Sequence, residues 1–129
     1  MPCVLDASAA VTLLVDVQRR SAIRDVLGGD VVLAPAHVDA EVLSALRGLV
    51  RGAHLDSVTA ARAVGLWIRA PVRRWSTVGL LAEAWRLRDA MTAYDALYVT
   101  LARVTNARLL TADRRLARAA ASAVDVVLV

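Results

Sequence analysis

Cys3-Val4-Leu5-Asp6 near the start of the chain and Arg108-Leu109-Leu110-Thr111-Ala112-Asp113 near its end decide the reading of the fold. Each holds an apolar run too short for a helix, followed by an aspartate and then by a helix-forming stretch. Val31-Val32-Leu33, after Gly28-Gly29, and Val126-Val127-Leu128 also read as strands, and Val72 to Trp75 as a weaker one. Between them the sequence predicts helices over Ser8 to Leu14, Arg19 to Leu27, His37 to Arg51, Leu55 to Arg69, Val78 to Arg88, Ala93 to Val104 and Arg114 to Ser122. Short apolar strands alternating with amphipathic helices give an α/β fold, a three-layer sandwich with a mainly parallel central sheet flanked by helices. Ligands of such folds bind beyond the carboxyl ends of the strands, which is where Asp6 and Asp113 fall.

The 129 residues and 13.8 kDa correspond to one domain, residues 1–129, large enough to build a core without disulfides or a structural metal. Hydrophobic residues make up 58% and the mean hydropathy is +0.53, which excludes disorder and suggests that a partner covers part of the surface. The apolar stretch Ala7 to Val15 is bounded by Asp6 and Asp16, far short of the ~20 residues of a membrane helix, and no basic segment precedes it as in a signal peptide. The expected location is the cytoplasm, away from membranes. All 16 basic residues are arginine, and they exceed the 12 acids to give a formal charge of +4. Without lysine the chain can be neither a P-loop protein, nor a receiver domain, nor a Schiff-base enzyme. Arginine suits phosphate, which its guanidinium fork pairs bidentately. Cys3, His37 and His54 have no partners at metal-ligand spacing and are expected to be structural.

Taken singly, each candidate acid has a structural explanation. Asp6 and Asp113 stand where they can cap the following helices, each contributing about 1 kcal/mol. Thr92 reads as an N-cap, with Asp95 in the first turn, where its charge complements the helix dipole. At about 100° per residue, Tyr94, Leu97, Tyr98, Leu101 and Val104 form one apolar arc, and Val38, Val42, Ala45, Leu46 and Leu49 another. Asp95 and Glu41 fall at the borders of these arcs, and periodicity does not separate Glu41 from Asp39, itself placed for a capping or dipole role.

Four segments read together change the weighing: Pro-Cys-Val-Leu-Asp-Ala-Ser from Pro2, Ala-Pro-Ala-His-Val-Asp-Ala-Glu-Val-Leu-Ser-Ala-Leu from Ala34, Thr-Ala-Tyr-Asp-Ala-Leu-Tyr-Val-Thr-Leu-Ala from Thr92, and Leu-Leu-Thr-Ala-Asp-Arg-Arg-Leu-Ala from Leu109. In order and spacing they resemble the PIN-domain family, more narrowly the VapC-type toxin ribonucleases of bacterial toxin–antitoxin pairs, and the resemblance spans the whole chain. It places the family's acidic quartet on Asp6, Glu41, Asp95 and Asp113, with Ser8 and Thr111 at the small hydroxyl positions beside it. Where relatives can carry a further acid or amide after the last aspartate, this chain has Arg114 and Arg115, so a second metal position is not implied.

The resemblance implies a metal-dependent endoribonuclease. Four carboxylates in one pocket raise each other's pKa, and a hard divalent cation relieves that repulsion. Mg²⁺, with Mn²⁺ as a substitute, takes oxygen ligands, polarises a phosphoryl oxygen and activates a bound water. Asp6 and Asp95 are expected to hold the principal ion, with Glu41 and Asp113 binding directly or through water, and arginines around the pocket attracting the phosphates. The implied partners are an RNA substrate, a VapB-like antitoxin and a second copy in a homodimer. With 4% aromatic residues and no RNA-binding aromatic motif, a base-stacking platform is poorly supported. Trp67, Trp75 and Trp85 are expected in the core, the alternative being a groove for an antitoxin helix. Two other classes remain open. In a haloacid-dehalogenase-like phosphatase Asp6 would be the nucleophile, but a second aspartate two residues on is replaced by Ser8. A non-catalytic module would keep the fold and bind only a partner.

Overall fold

The computed structural model describes residues 1–129. Five strands, β1 (Cys3–Leu5), β2 (Val32–Pro35), β3 (Val72–Trp75), β4 (Arg108–Thr111) and β5 (Val126–Leu128), form one sheet in the order β3-β2-β1-β4-β5. Every pairing is parallel, with Leu5 opposite Leu110 at the centre and Ala34 opposite Arg74 toward one edge. The central strand β1 is buried throughout, as an apolar run covered on both faces must be. Edge strand β3 carries Arg73 and Arg74, charges that discourage another chain from pairing there.

Seven helices cover the sheet: α1 (Ala7–Val15), α2 (Val17–Leu27), α3 (Val38–Arg51), α4 (Ser57–Arg69), α5 (Leu81–Arg86), α6 (Ala93–Val104) and α7 (Arg114–Ala120). Right-handed crossovers place the helices joining β1, β2 and β3 on one face and those leading to β4 and β5 on the other, which makes the three layers. α1 packs on α2, α3 and α4, while α6 lies against β1, β2 and β4. Local chemistry sets the helix ends. Asp16 accepts from the Gln18 and Arg19 amides to start α2. Gly28, at φ +53°, ends α2 in the left-handed conformation that a side chain resists. Asp56 caps α4. A core of 28 buried residues runs through the layers, including Cys3, whose thiol is pushed up to about 11 by burial, consistent with its expected structural role.

Several expectations need correction. The helix expected over Val78 to Arg88 is a 3₁₀ turn (Val78–Leu80) followed by the short α5, because only Leu80 and Ala84 of this segment are buried deeply enough to anchor it. Trp67 is in the core, but Trp75 is 43% and Trp85 68% exposed, the first on an edge strand and the second on the outer side of a short helix. α6 is buried around much of its girth through Ala96, Tyr98, Val99, Leu101 and Ala102, so a single-stripe reading misplaces its ends: Tyr94 and Val104 are exposed. Ala45, expected on the inner stripe of α3, is also exposed. No helix is long and apolar enough to cross a membrane.

Candidate active site

β1 and β4 are neighbours, yet the chain leaves β1 toward β2 and β4 toward β5, in opposite directions. Between such strands a crevice opens at the carboxyl ends. Asp6 follows β1 directly and Asp113 stands two residues beyond the end of β4, so the two aspartates occupy its walls.

Asp6 is 4% exposed. Its Oδ1 accepts from the Ala9 amide at 2.9 Å, the N-cap bond expected from sequence. Ser8 Oγ lies 2.7 and 3.0 Å from its two oxygens, and Thr111 Oγ1 donates to Oδ2 at 2.6 Å. Each hydroxyl spends its one proton on Asp6 and accepts a backbone N–H in return, Ser8 from Ala112 at 2.9 Å and Thr111 from Asp113 at 3.0 Å. These bonds stitch the β1 corner to the β4 corner. Every donor to Asp6 is neutral. Burial, and to a lesser degree the nearby charge of Asp95, raise its carboxyl to about 6 even though the hydrogen bonds from Thr111, Ala9 and Ser8 pull it down.

The other acids are arranged differently. Glu41 lies in the first turn of α3, where Oε1 accepts from the Tyr98 hydroxyl at 2.8 Å. His37 Nε2 is 3.0 Å from the same oxygen. Burial alone would raise the Glu41 carboxyl; His37 and Tyr98 outweigh it and hold it below its ordinary value. Burial and the Glu41 charge push the Tyr98 hydroxyl well above the usual range, keeping it a donor. Tyr98 is three residues from Asp95 on α6, so one helix face carries both. Asp95 and Asp113 share a cation from within the chain: Arg115 Nη2 lies 3.0 Å from Asp95 Oδ2 and 3.4 Å from Asp113 Oδ2. Asp113 also caps α7 through the Arg115 and Leu116 amides.

In this arrangement no three carboxylates converge on one point as ligands of a bound ion would. The donor set nevertheless fits a hard cation. It is all oxygen, it pairs a buried carboxylate without a basic partner with a second whose charge it feels, and Mg²⁺ usually needs only one or two carboxylates plus water and phosphate. Arg115 is the basic side chain in direct contact with the site.

Sequence reasoning missed Tyr98, which it placed on an apolar arc, and His37, which it set aside as structural. The i, i+3 spacing of Asp95 and Tyr98 was the available signal. Asp39 is also corrected. It neither caps α3 nor merely offsets its dipole, but accepts from Trp67 Nε1 at 2.7 Å and pairs with Arg74 at 2.9 Å, tying α3 to α4 and β3.

The family description "PIN domain" matches residues 3–122. Ribonuclease VapC3 of Mycobacterium tuberculosis is 46% identical over 121 residues, covering 93% of this chain and 88% of that protein. Among solved structures, VapBC2 from Rickettsia felis bound to a promoter DNA fragment aligns with a TM-score of 0.72 at 12% identity, over 99% of this chain and 98% of the other. VapC20 of M. tuberculosis, described as a sarcin–ricin loop cleaving toxin, aligns with a TM-score of 0.67 at 17% identity, over 91% and 94%. The structural likenesses carry the fold and the sequence match carries the closer kinship. With a continuous match over nearly its whole length, and Asp6 and Asp113 at the switch point of the sheet, the chain belongs to the PIN domain family, in its VapC branch.

Proposed function

We propose that this protein is the toxin of a VapBC-type pair, an endoribonuclease that hydrolyses RNA phosphodiester bonds with the help of Mg²⁺ or Mn²⁺ held by the acidic quartet. The observation that carries the reading is Asp6: an almost fully buried carboxylate at the sheet's switch point, addressed only by neutral donors and destabilised by its own burial and by Asp95. Beyond its cap to α1, a carboxylate kept so is well suited to a cation. When bound, the ion supplies charge neutralisation, polarisation of the phosphoryl oxygen and activation of water.

The chain's own residues divide the work. Asp6 and Asp95 would be the ion's principal ligands. Ser8 and Thr111 fix both oxygens of Asp6 without adding charge, leaving its negative charge for the ion. Tyr98 and His37 both address Oε1 of Glu41, so Oε2 is the oxygen left to orient water and take its proton. Asp113 completes the set from α7. Arg115, exposed beside Asp95 and Asp113, would meet the substrate's phosphate.

The RNA substrate and the antitoxin are carried over from the VapC kinship, with the R. felis VapBC2 complex as an example of the pairing. The homodimer is supported by apolar surface at Val78, Leu81 and Trp85 that a second copy would cover. Action is expected in the cytoplasm, where the RNA is. RNA cleavage by the purified full chain tests the reading: Mg²⁺ or Mn²⁺ should be required and EDTA should abolish it. Full activity in chelator, or a phospho-aspartyl intermediate on Asp6, overturns it in favour of covalent chemistry.

A further inference from the structure

Tyr94, in the first turn of α6 beside Asp95, is 62% exposed, and its ring is not loose on the surface. It stacks on His37 at a centroid separation of 5.8 Å and an interplanar angle of 25°, and His37 in turn packs on the buried ring of Tyr98 at 4.8 Å. Three rings from α6 and the start of α3 thus form a braced column with one free aromatic end. Opposite it, α3 presents only small side chains, Ala40, Ser44 and Ala45, all exposed. Nothing fills the space between, and an open cleft of about 480 Å³ remains, with Glu41 as part of its lining.

We propose that this cleft is a nucleobase subsite, in which one unpaired base of the RNA substrate lies over Tyr94 while its backbone runs past Glu41 into the acidic crevice. The inference rests on the ribonuclease reading and adds to it the place where the strand is gripped. A planar, π-faced group is what the cleft fits: an aromatic wall, a floor of methyl groups at Ala40 and Ala45, and one hydroxyl at Ser44 to address a base edge. Bracing by His37 matters because a ring already held in place loses little freedom when a base stacks on it. Continuity with the site comes from Glu41, which belongs to both. Stacking is tolerant of base identity, so the subsite selects for an unpaired nucleotide more than for a particular base. The low aromatic content of the chain does not prevent this, because one of its five aromatic residues of the Trp and Tyr types, Tyr94, is exposed in the cleft that Glu41 also lines.

The test uses the full chain and a fluorescently labelled single-stranded oligoribonucleotide. Affinity is read by anisotropy in EDTA, where turnover is suppressed, and KM and kcat are read separately in Mg²⁺. Tyr94→Ala should weaken binding by about 10-fold or more and raise KM with little change in kcat, the signature of lost uniform binding. Tyr94→Phe, which keeps the ring, should behave as wild type. Ala45→Leu, at an exposed position where the fold has no need of alanine, should block the cleft and weaken binding similarly. Wild-type affinity and KM in both Tyr94→Ala and Ala45→Leu overturn the subsite, as does a Tyr94→Phe variant as impaired as Tyr94→Ala. If wild type cleaves no RNA, the ribonuclease reading itself fails; if it cleaves and the variants match it, only the subsite fails.

Discussion

Asp6 and Asp39 are both aspartates near the start of a helix that follows a strand, and they live in opposite surroundings. Asp39 is half-exposed and has its own cation, Arg74, with Trp67 as a second donor. Burial pushes its carboxyl upward, but the hydrogen bonds from Arg74 and Trp67 and the Arg74 charge outweigh it and hold the carboxyl below its ordinary value. Asp6 is buried, has only neutral donors, and has its carboxyl pushed up to about 6 by that burial. Asp39 is finished within the chain, whereas Asp6 is a charge the chain leaves uncompensated. That contrast separates a scaffold acid from a site acid more sharply than either one's place in the sequence.

The largest effect should come from the most direct attack on the contrast. Asp6→Asn keeps the shape of the site and removes the charge, so RNA cleavage in Mg²⁺ should fall on the order of 100-fold or more, whereas Asp39→Asn should leave it near wild type. Comparable losses in both, measured as kcat/KM, would erase the distinction.

Stability against pH should then separate the two by sign. Asp6 binds its proton more tightly folded than unfolded, so its contribution is fully present below pH 3.8 and is lost as the pH rises through about 6. In chelator at pH 7.5, Asp6→Asn should therefore be more stable than wild type by up to about 3 kcal/mol, and the advantage should vanish by pH 4. Asp39 runs the other way: its contribution is present above its ordinary pKa and is lost as the pH falls through the lower folded value. Urea denaturation across this pH range reads both. Adding Mg²⁺ should raise the melting temperature of wild type more than that of Asp6→Asn.

A smaller effect is expected at the scaffold acid. Asp39→Ala leaves Trp67 Nε1 without its acceptor and should cost about 1–2 kcal/mol, moderated because Asp39 is half-exposed, with cleavage by the folded protein unchanged. Loss of activity at full stability would move Asp39 into the site. The smallest change in stability belongs to Arg115→Gln, an exposed pair worth under about 1 kcal/mol. Its informative readout is ion affinity. With the guanidinium gone from between Asp95 and Asp113, half-maximal stabilisation should need less Mg²⁺, and an unchanged midpoint would show that Arg115 does not compete with the cation.

The positions of Asp6 and Asp113 were legible because local chemistry marks them, whereas Glu41 and Asp95 were singled out by the family resemblance and not by periodicity. An apolar run of three or four residues ended by an aspartate shows where a buried strand meets a crevice, and β1, β3, β4 and β5 lie where the sequence puts them. Less legible was whatever depends on how a helix is covered. A hydrophobic stripe reports one face, so it fails on α6, which is buried around most of its middle, and on α5, too short for its outward Trp85 to be drawn in.

The sequence by itself determined the alternation of strands and helices, the caps at Asp6, Thr92 and Asp113, and the placement of Asp6 and Asp113 beyond their strands, because each depends on residues a few positions apart. Only the tertiary structure decided what those acids touch. The partner of Glu41 lies 57 residues away at Tyr98, the donors to Asp39 lie 28 and 35 residues away at Trp67 and Arg74, and Thr111 reaches Asp6 across 105 residues. No periodicity spans such distances. Whether a carboxylate is neutralised by the chain or left for a ligand depends on which side chains the packed helices bring within about 3 Å of it, the reach of a hydrogen bond.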